Sequence, residues 1–206
     1  MLDFFHDEEP WQEALAPGAL ILRRFVQQDD LVLYQEINRI AMQHPFIHRV
    51  TPGGFTMSAA MTGCGAAQWV SARDGYLNTR ETIALNQTFL DLAKRAAATA
   101  GYADFIPDSC LINRYAVDSK MTLHQDKNER DLTQPIVSIS LGLPAIFLFG
   151  GLMRSDKTAK VLLEHGDVVV WGGASRLCFH GILPIKAGIH PLTGPYRFNL
   201  TFRQAL

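Results

Sequence analysis

His124 and Asp126 are separated by one residue in the stretch Leu123–Asp126, and both residue types bind metal ions. On a β-strand, residues i and i+2 point to the same face, so the imidazole and the carboxylate would approach one metal. His180 lies in another predicted strand and is the candidate third ligand. Two imidazoles and one carboxylate leave coordination positions open, as in non-haem Fe(II) oxygenases. The alternative is a surface histidine beside a solvated aspartate.

The stretch Arg197–Arg203 alternates polar and apolar residues, which predicts a strand with two chemically different faces. A buried polar face that carries Arg197 and Arg203 is costly unless an anion meets it. The two arginines lie about 20 Å apart on a straight strand and cannot both hold one carboxylate. One could bind the far carboxylate of a dicarboxylic acid while the other reaches its metal-bound end. The alternative is an edge strand with a solvated outer face.

The elements that must position these residues are short runs of β-forming residues, separated by Gly, Pro or Asp. No helical pattern intervenes, which indicates an antiparallel sandwich or barrel rather than a doubly wound sheet. A turn at Glu164–Asp167 fits the corner of a jelly roll. The runs are residues 110–116, 121–126, 136–142, 145–151, 160–171, 176–182 and 197–203.

The first half of the chain predicts two helices outside this β-core, so the expected fold class is α+β, mainly β. One helix would be capped by Asp29 or Asp30 and end before Pro45. The other would begin near Asn86 and stop at Gly101. Between them, residues 51–77 are rich in Gly, Ser, Thr and aromatic residues, which predicts loops or a short hairpin rather than core scaffold. No repeat or linker divides the chain, so one domain over residues 1–206 is expected.

Composition and charge set limits on the function. With 206 residues, 48% hydrophobic and 19% charged, the chain is typical of a globular protein with a core. A net charge of −1 argues against a protein held to nucleic acid or membrane by its overall field. Five acidic residues lie within residues 1–20, so the rest is mildly basic. A local basic rim is expected from Lys120, Lys127, Arg130, Arg154, Lys157 and Lys160.

Cysteine usage and the hydrophobic pattern indicate the compartment. Cys64, Cys110 and Cys178 are scattered without CxxC spacing, which favours reduced thiols and a cytoplasmic protein. The acidic N-terminus is unlike a signal peptide. The apolar stretch 136–151 is too short and too interrupted to span a membrane.

Taken together, the sequence resembles the AlkB family of Fe(II)/2-oxoglutarate-dependent dioxygenases, which remove alkyl groups from nucleobases. The matching residues cover nearly the whole chain, and in combination they are highly specific. They are Pro52–Ser58, Cys110–Tyr115, Leu123–Lys127, Pro135–Gly151, Leu163–Gly173, Phe179–Ile182 and Asn199–Gln204.

The resemblance implies a double-stranded β-helix (jelly-roll) core over about residues 107–206, two supporting helices, and a nucleotide-recognition lid over about residues 45–80. It implies that Fe(II) is bound by His124, Asp126 and His180, and that Arg197 pairs with the distal carboxylate of 2-oxoglutarate. The cofactor pocket would be completed by Asn113, Tyr115, Asn199 and Arg203.

The resemblance also implies a substrate site, in which Trp69 stacks on a flipped base and Tyr76 belongs to the lid. Weaker candidates for pocket or phosphate contacts are Met61, Lys120, Gln125, Asn128 and Arg154. For Trp69 the alternative is a core residue, and for Lys120 and Arg154 it is a solvated charge.

The implied activity is oxidative demethylation of bases of the 1-methyladenine and 3-methylcytosine type, in single-stranded or duplex DNA. O₂ is the co-substrate, and formaldehyde, succinate and CO₂ are the products. The expected protein is a monomer that acts without a membrane.

Two positions depart from the best-known family members. Asn128 stands where those members carry an acidic residue, and residues 77–87 form a shorter segment. Because an amide both donates and accepts hydrogen bonds, a different lesion preference is expected. The nearest alternative function is the same chemistry on RNA, such as tRNA, or on a protein side chain. A more remote alternative is a non-catalytic jelly-roll binding module.

Overall fold

The computed structural model describes residues 9–70, 76–78 and 82–206. These ranges contain fourteen strands, two α-helices and one turn of 3₁₀ helix at Gly173–Ser175. The helices are α1 (Asp30–Gln43) and α2 (Gln87–Thr99). The strands are β1 (Gln12–Ala16), β2 (Ala19–Leu22), β3 (Ile47–Val50), β4 (Thr56–Gly65), β5 (Ala67–Trp69), β6 (Tyr76–Asn78), β7 (Ser109–Tyr115), β8 (Met121–His124), β9 (Ile136–Gly142), β10 (Ala145–Phe149), β11 (Ala159–Leu163), β12 (Val168–Trp171), β13 (His180–Ile182) and β14 (Arg197–Arg203).

Two antiparallel sheets form the body of the protein. The larger has eight strands in the order β1-β2-β12-β9-β14-β7-β4-β3, and the smaller has four in the order β11-β10-β13-β8. Apolar side chains of both sheets, including Phe147, Phe149 and Trp171, pack together between them. The jelly-roll interpretation is therefore confirmed. Because β14 lies between β9 and β7, the alternative of a solvated edge strand is excluded.

The two helices cover one face of the larger sheet. Leu33, Ile37 and Ile40 of α1 and Phe89 and Leu92 of α2 belong to one buried cluster. That cluster also holds the apolar face of β14, which consists of Phe198, Leu200 and Phe202. The polar residues of β14 therefore point to the opposite side, toward the smaller sheet.

The helix ends agree with the sequence in most respects. The Asn86 side chain accepts a hydrogen bond of 2.8 Å from the Phe89 amide, which caps α2. Gly101 follows this helix at a φ of +90°, a conformation that glycine adopts without strain. Asp29 is the N-cap residue of α1, but its side chain does not cap the helix. Its carboxylate instead pairs with Arg95 on α2 at 2.5 Å, so the predicted capping bond is wrong.

The prediction of loops over residues 51–77 is wrong for β4. This ten-residue strand pairs with β7 from Ala60 opposite Arg114 to Gly65 opposite Ser109. Glycine lets the backbone of this strand approach β7 closely, since a Cβ at Gly63 would lie 2.7 Å from the Cys110 carbonyl oxygen. The following residues do form the predicted hairpin, made of β5 and β6.

The remaining expectations concern membrane helices, the cysteines and the extent of the β-core. No described helix is long and apolar enough to cross a membrane. The three cysteines are free and buried. Strands β7 to β14 account for the predicted core over residues 107–206. The acidic residues within 1–8, and residues 79–81 of the shortened segment, lie outside the described residues. The division into one domain with a lid over residues 45–80 stays a prediction.

Candidate active site

Three potential metal ligands meet where the two inner strands of the smaller sheet pair. His124 ends β8, His180 begins β13, and the two are cross-strand partners. The Nε2 atoms of His124 and His180 lie 3.7 and 3.9 Å from the Asp126 carboxylate oxygens. Asp126 follows the end of β8 and does not lie on the strand, so the strand alternation used to predict this pair is wrong. The Asp126 carboxylate nevertheless lies close to both imidazoles, and the three ligand atoms are within 4.8 Å of one another.

Backbone carbonyls orient both imidazoles in the same way. The Nδ1 atom of His124 lies 2.9 Å from the Thr122 carbonyl oxygen, and that of His180 lies 3.0 Å from the Cys178 carbonyl oxygen. A hydrogen on Nδ1 leaves the Nε2 lone pair free to bind a metal, which is the usual arrangement of metal-binding histidines. In each case the carbonyl belongs to the residue two positions before the histidine.

The charge state of the three groups suits a divalent metal. Burial, together with the nearby His124, lowers the pKa of His180 to about 4, so its imidazole is neutral near pH 7. Burial alone would raise the pKa of Asp126, but Arg203 and the two imidazoles lower this pKa well below its usual range. The site thus offers two imidazoles and one carboxylate, a donor set that binds non-haem Fe(II).

A cavity of about 340 Å³ opens from these ligands into the space between the sheets. Twelve of the fifteen predicted site residues line it: Met61, Trp69, Asn113, Tyr115, His124, Gln125, Asp126, Asn128, His180, Arg197, Asn199 and Arg203. Tyr76, Lys120 and Arg154 do not line it. The structure therefore brings the predicted metal and cofactor residues together.

Arg197 is a buried guanidinium at the base of this cavity, with 0% of its surface exposed. It donates to the Ser140 hydroxyl at 2.8 Å and to the Leu143 carbonyl at 3.4 Å, while its Nε has no acceptor. Burial lowers the pKa of Arg197 to about 10, which still leaves it charged near pH 7. A buried cation with a free N–H and no bonded carboxylate among the described residues suits an anionic ligand.

The polar wall beside Arg197 comes from neighbouring strands of the larger sheet. Asn113 and Asn199 are cross-strand partners whose side chains are 3.5 Å apart, and the Asn113 Oδ1 has no partner. Asn199 is held by the Ser138 hydroxyl at 2.7 Å. Burial raises the pKa of Tyr115 to about 12, so its phenol stays protonated. These groups fit the oxygens of 2-oxoglutarate, and the ligand set fits Fe(II).

Arg203 connects the cofactor wall with the metal ligands. Its Nε and NH2 groups donate to one Asp126 oxygen at 3.0 and 2.6 Å, while NH1 is buried without an acceptor. Burial would lower the pKa of Arg203, but Asp126 and other nearby groups raise it above its ordinary value. The arginine therefore fixes the carboxylate and still has one N–H available for a ligand.

Two residues of this site were missed by the sequence reasoning. Arg176, 3% exposed, donates to the Asp126 backbone carbonyl at 2.7 Å and to the Glu129 carboxylate at 3.1 Å. Glu129 also accepts a hydrogen bond of 2.8 Å from the Tyr76 hydroxyl and lies 3.4 Å from Arg203. Glu129 lies in a charged stretch that predicts a solvated surface, Arg176 matches no motif, and no spacing rule links the two residues.

The predicted substrate residues lie in different surroundings. Trp69 is partly buried beside Met61, so it does have a local apolar cluster to join, contrary to the expectation for this segment. The Gln125 side chain donates to the Leu177 carbonyl at 2.7 Å. Lys120 and Arg154 are exposed, and the Arg154 guanidinium lies 5.2 Å from the centre of the Phe179 ring.

Comparison with known families agrees with this geometry. Residues 18–203 match the model of the 2OG-Fe(II) oxygenase superfamily. The chain belongs to this superfamily. It is 59% identical to the alpha-ketoglutarate-dependent dioxygenase AlkB of Escherichia coli, over the whole chain and 98% of that protein. The oxygenase is also 36% identical to human nucleic acid dioxygenase ALKBH1, over 44% of this chain and 23% of that protein.

The solved structure of OsALKBH1 has the same fold as this chain. It superimposes on this oxygenase with a TM-score of 0.83 at 32% identity, covering 94% of this chain and 100% of the other. The protein is thus an oxygenase that uses Fe(II) and 2-oxoglutarate.

Proposed function

We propose that this oxygenase removes N-linked methyl groups, of the 1-methyladenine and 3-methylcytosine type, from DNA. One observation carries the proposal: a single cavity joins the His124, Asp126 and His180 cluster, the buried cation Arg197 and the aromatic face of Trp69. A metal site, a carboxylate site and a stacking surface in one cavity suit a nucleobase oxidised beside 2-oxoglutarate. The names of the similar E. coli and human dioxygenases support the reaction class and a nucleic acid substrate.

The residues of the chain hold the reactants in this proposal. Bound Fe(II) and 2-oxoglutarate supply the oxidation of the methyl group by O₂, with succinate, CO₂ and formaldehyde as products. Arg197 neutralises the distal carboxylate of 2-oxoglutarate, and Asn113, Asn199 and the Tyr115 phenol contact its oxygens. The NH1 group of Arg203, which has no acceptor, would be available to the other end of the cosubstrate. Hydrogen bonds to Ser140 and Ser138 hold Arg197 and Asn199 in position, which limits the reorganisation that binding requires.

Substrate binding requires that the base leave the duplex stack. A base can enter a cavity between two sheets only when it is flipped out or lies in a single strand. Stacking on Trp69 would hold it against Met61, with Asn128 at the cavity wall. Alkylation that blocks base pairing lowers the cost of flipping, which favours the damaged base over its neighbours.

Phosphate contacts come from exposed basic side chains around the cavity. Lys120, Lys127, Arg130, Arg154, Lys157 and Lys160 are all exposed. They form the proposed basic rim for a DNA strand. We place the activity in the cytoplasm and in a monomer, because one chain supplies all the residues of the cavity and its three cysteines are free.

The test is methyl removal by the purified protein with Fe(II), ascorbate and 2-oxoglutarate. We expect formaldehyde release, and loss of 14 mass units (about one methylene per lesion) from single-stranded DNA that carries 1-methyladenine or 3-methylcytosine. The Asp126→Ala variant, which lacks the carboxylate ligand, is expected to lose turnover.

Parallel reactions on duplex DNA and on RNA of the same sequence define the substrate. Faster turnover on RNA would assign the alternative RNA function. Succinate formation with no methyl loss from any nucleic acid would contradict the proposal.

A further inference from the structure

Arg49 lies beside Trp69, the aromatic residue proposed to stack on the base. It belongs to β3, at a point where the register with β4 shifts between His48 and Val50. Its guanidinium carbon is 6.0 Å from the centre of the Trp69 ring. At this distance the cation interacts electrostatically with the π-system of the indole.

The indole separates Arg49 from the active-site cavity. Trp69 lines that cavity and also a second, much smaller one. Arg49 and Gln68 line only the second cavity. The guanidinium thus lies behind the ring as seen from the place where a base would stack.

The charge of Arg49 is not neutralised by a neighbour. Its Nε is buried without a hydrogen-bond acceptor, and no carboxylate among residues 9–70, 76–78 and 82–206 pairs with it. Burial lowers its pKa from an ordinary value of 12.5, but an arginine stays protonated at neutral pH. A full positive charge therefore faces the back of Trp69.

We propose that Arg49 is a specificity-determining residue that acts through Trp69 and reduces the preference of the enzyme for cationic alkylated bases relative to neutral ones. The proposal rests on the proposed function, because it requires a base stacked on Trp69. A methyl group on N1 of adenine or N3 of cytosine makes the base a cation. A methyl group on N3 of thymine or N1 of guanine replaces a hydrogen and leaves the base neutral. The charge behind the ring weakens the stacking of the cationic bases and leaves the stacking of the neutral bases unaffected.

The size of the effect follows from the distance. A base stacked at van der Waals contact on the open face of Trp69 lies on the order of 10 Å from the guanidinium carbon. Repulsion between two unit charges at that distance, partly screened by solvent, corresponds to roughly three- to tenfold in binding.

The experiment compares Arg49→Met, which removes the charge, with Arg49→Lys, which keeps it. Each protein is assayed on single-stranded oligonucleotides of one sequence that carry 3-methylcytosine or 3-methylthymine. Mass spectrometry gives kcat/KM, and fluorescence anisotropy at one ionic strength gives the dissociation constant. We expect Arg49→Met to raise the preference for 3-methylcytosine by roughly three- to tenfold, and Arg49→Lys to leave it within about twofold.

Other outcomes separate this role from a structural one. An equal change of both substrates in Arg49→Met would show that Arg49 only supports the fold around Trp69, and would overturn the proposal. Arg49→Gln is the second neutral variant, used if circular dichroism shows Arg49→Met unfolded. If the wild type removes neither methyl group, the proposed function fails, and the ratio of the two dissociation constants still decides the role of Arg49.

Discussion

At the scale of single residues, the site depends on buried charges that hold one another in place. Asp126 receives two hydrogen bonds from Arg203 on its carboxylate and one from Arg176 on its backbone carbonyl. Both arginines also contact Glu129. Removing one member of such a network leaves the others buried without a partner, which costs more than a surface ion pair. The metal carboxylate is thus fixed from two directions.

A variant of Arg176 tests this support. Arg176→Met removes the bonds to Asp126, Glu129 and the Gln134 carbonyl while it keeps an apolar stem. We expect the affinity for Mn(II), used as a redox-stable substitute for Fe(II), to fall by about tenfold or more. Isothermal titration calorimetry on folded protein measures it.

The matched control is Arg114→Met. Arg114 lies on β7 between the Phe46 and Tyr196 rings, at 4.6 and 5.0 Å, and does not line the cavity. The control is expected to keep its Mn(II) affinity. Equal losses in the two variants would show that any removed arginine loosens the protein, and would contradict a specific role for Arg176.

At the scale of elements, β14 serves the core with one face and the site with the other. Its bounds were predicted from the alternation of residues 197–203, and those of β9 from the run 136–142. The run 176–182 gave only the short strand β13, since its first half contains a turn that follows the 3₁₀ helix. Periodicity is informative where one face is buried along the full strand length.

The strand β4 could not be predicted in the same way. Apart from two methionines, its residues Thr56–Gly65 are small or polar, and they contain Gly63 and Gly65, which ordinarily indicate loops. The structure shows that these glycines let β4 approach β7, a requirement that depends on a partner about fifty positions away in the chain. The position of Asp126 beyond β8 was not predicted either, because alternation alone does not fix the residue at which a strand ends.

Substitution of Gly63 tests the close approach of β4 and β7. A Cβ at this position would lie 2.7 Å from the Cys110 carbonyl oxygen, so Gly63→Ala forces the strands apart. We expect the free energy of unfolding to fall by about 1–3 kcal/mol, as for other overpacked sites, in urea denaturation followed by circular dichroism.

The control for this substitution is Gly53→Ala in the β3–β4 turn. There the nearest atom to a new Cβ is a Phe55 ring carbon at 3.6 Å, an ordinary contact. This variant is expected to keep wild-type stability within about 0.5 kcal/mol. A Gly63→Ala protein as stable as the control would show that β4 and β7 accommodate a Cβ at this position, and would contradict the prediction.

At the scale of the whole molecule, charge is arranged so that attraction to DNA is local. The net charge is −1, and the Lys and Arg residues of the proposed basic rim are exposed. Such a protein has a weak long-range electrostatic field, so selectivity for an alkylated base must come from the pocket. The net charge follows from the sequence alone. Which basic residues lie close together on the surface depends on the fold and could not be predicted.

The salt dependence of binding tests this arrangement. We expect weak binding to undamaged single-stranded DNA, with an affinity that falls as salt rises. The double variant Arg154→Gln, Lys157→Gln is expected to reduce the slope of log affinity against log salt by about 1 to 1.5, because two phosphate contacts are lost. Fluorescence anisotropy over a salt series gives this slope. Lys94→Gln, which removes one positive charge on α2 outside the proposed rim, should leave it unaltered.

The central position of β14 has a consequence for the synthesis of the protein. Strands β7 and β9, its neighbours in the sheet, are translated long before it, and they cannot close around the centre until β14 has left the ribosome. Arg197 and Arg203 both belong to that strand, so the cavity acquires these two buried cations only when β14 joins the sheet. A chain in which β14 has not yet paired therefore lacks both cations, and we expect it to retain the cosubstrate poorly beside a reactive metal.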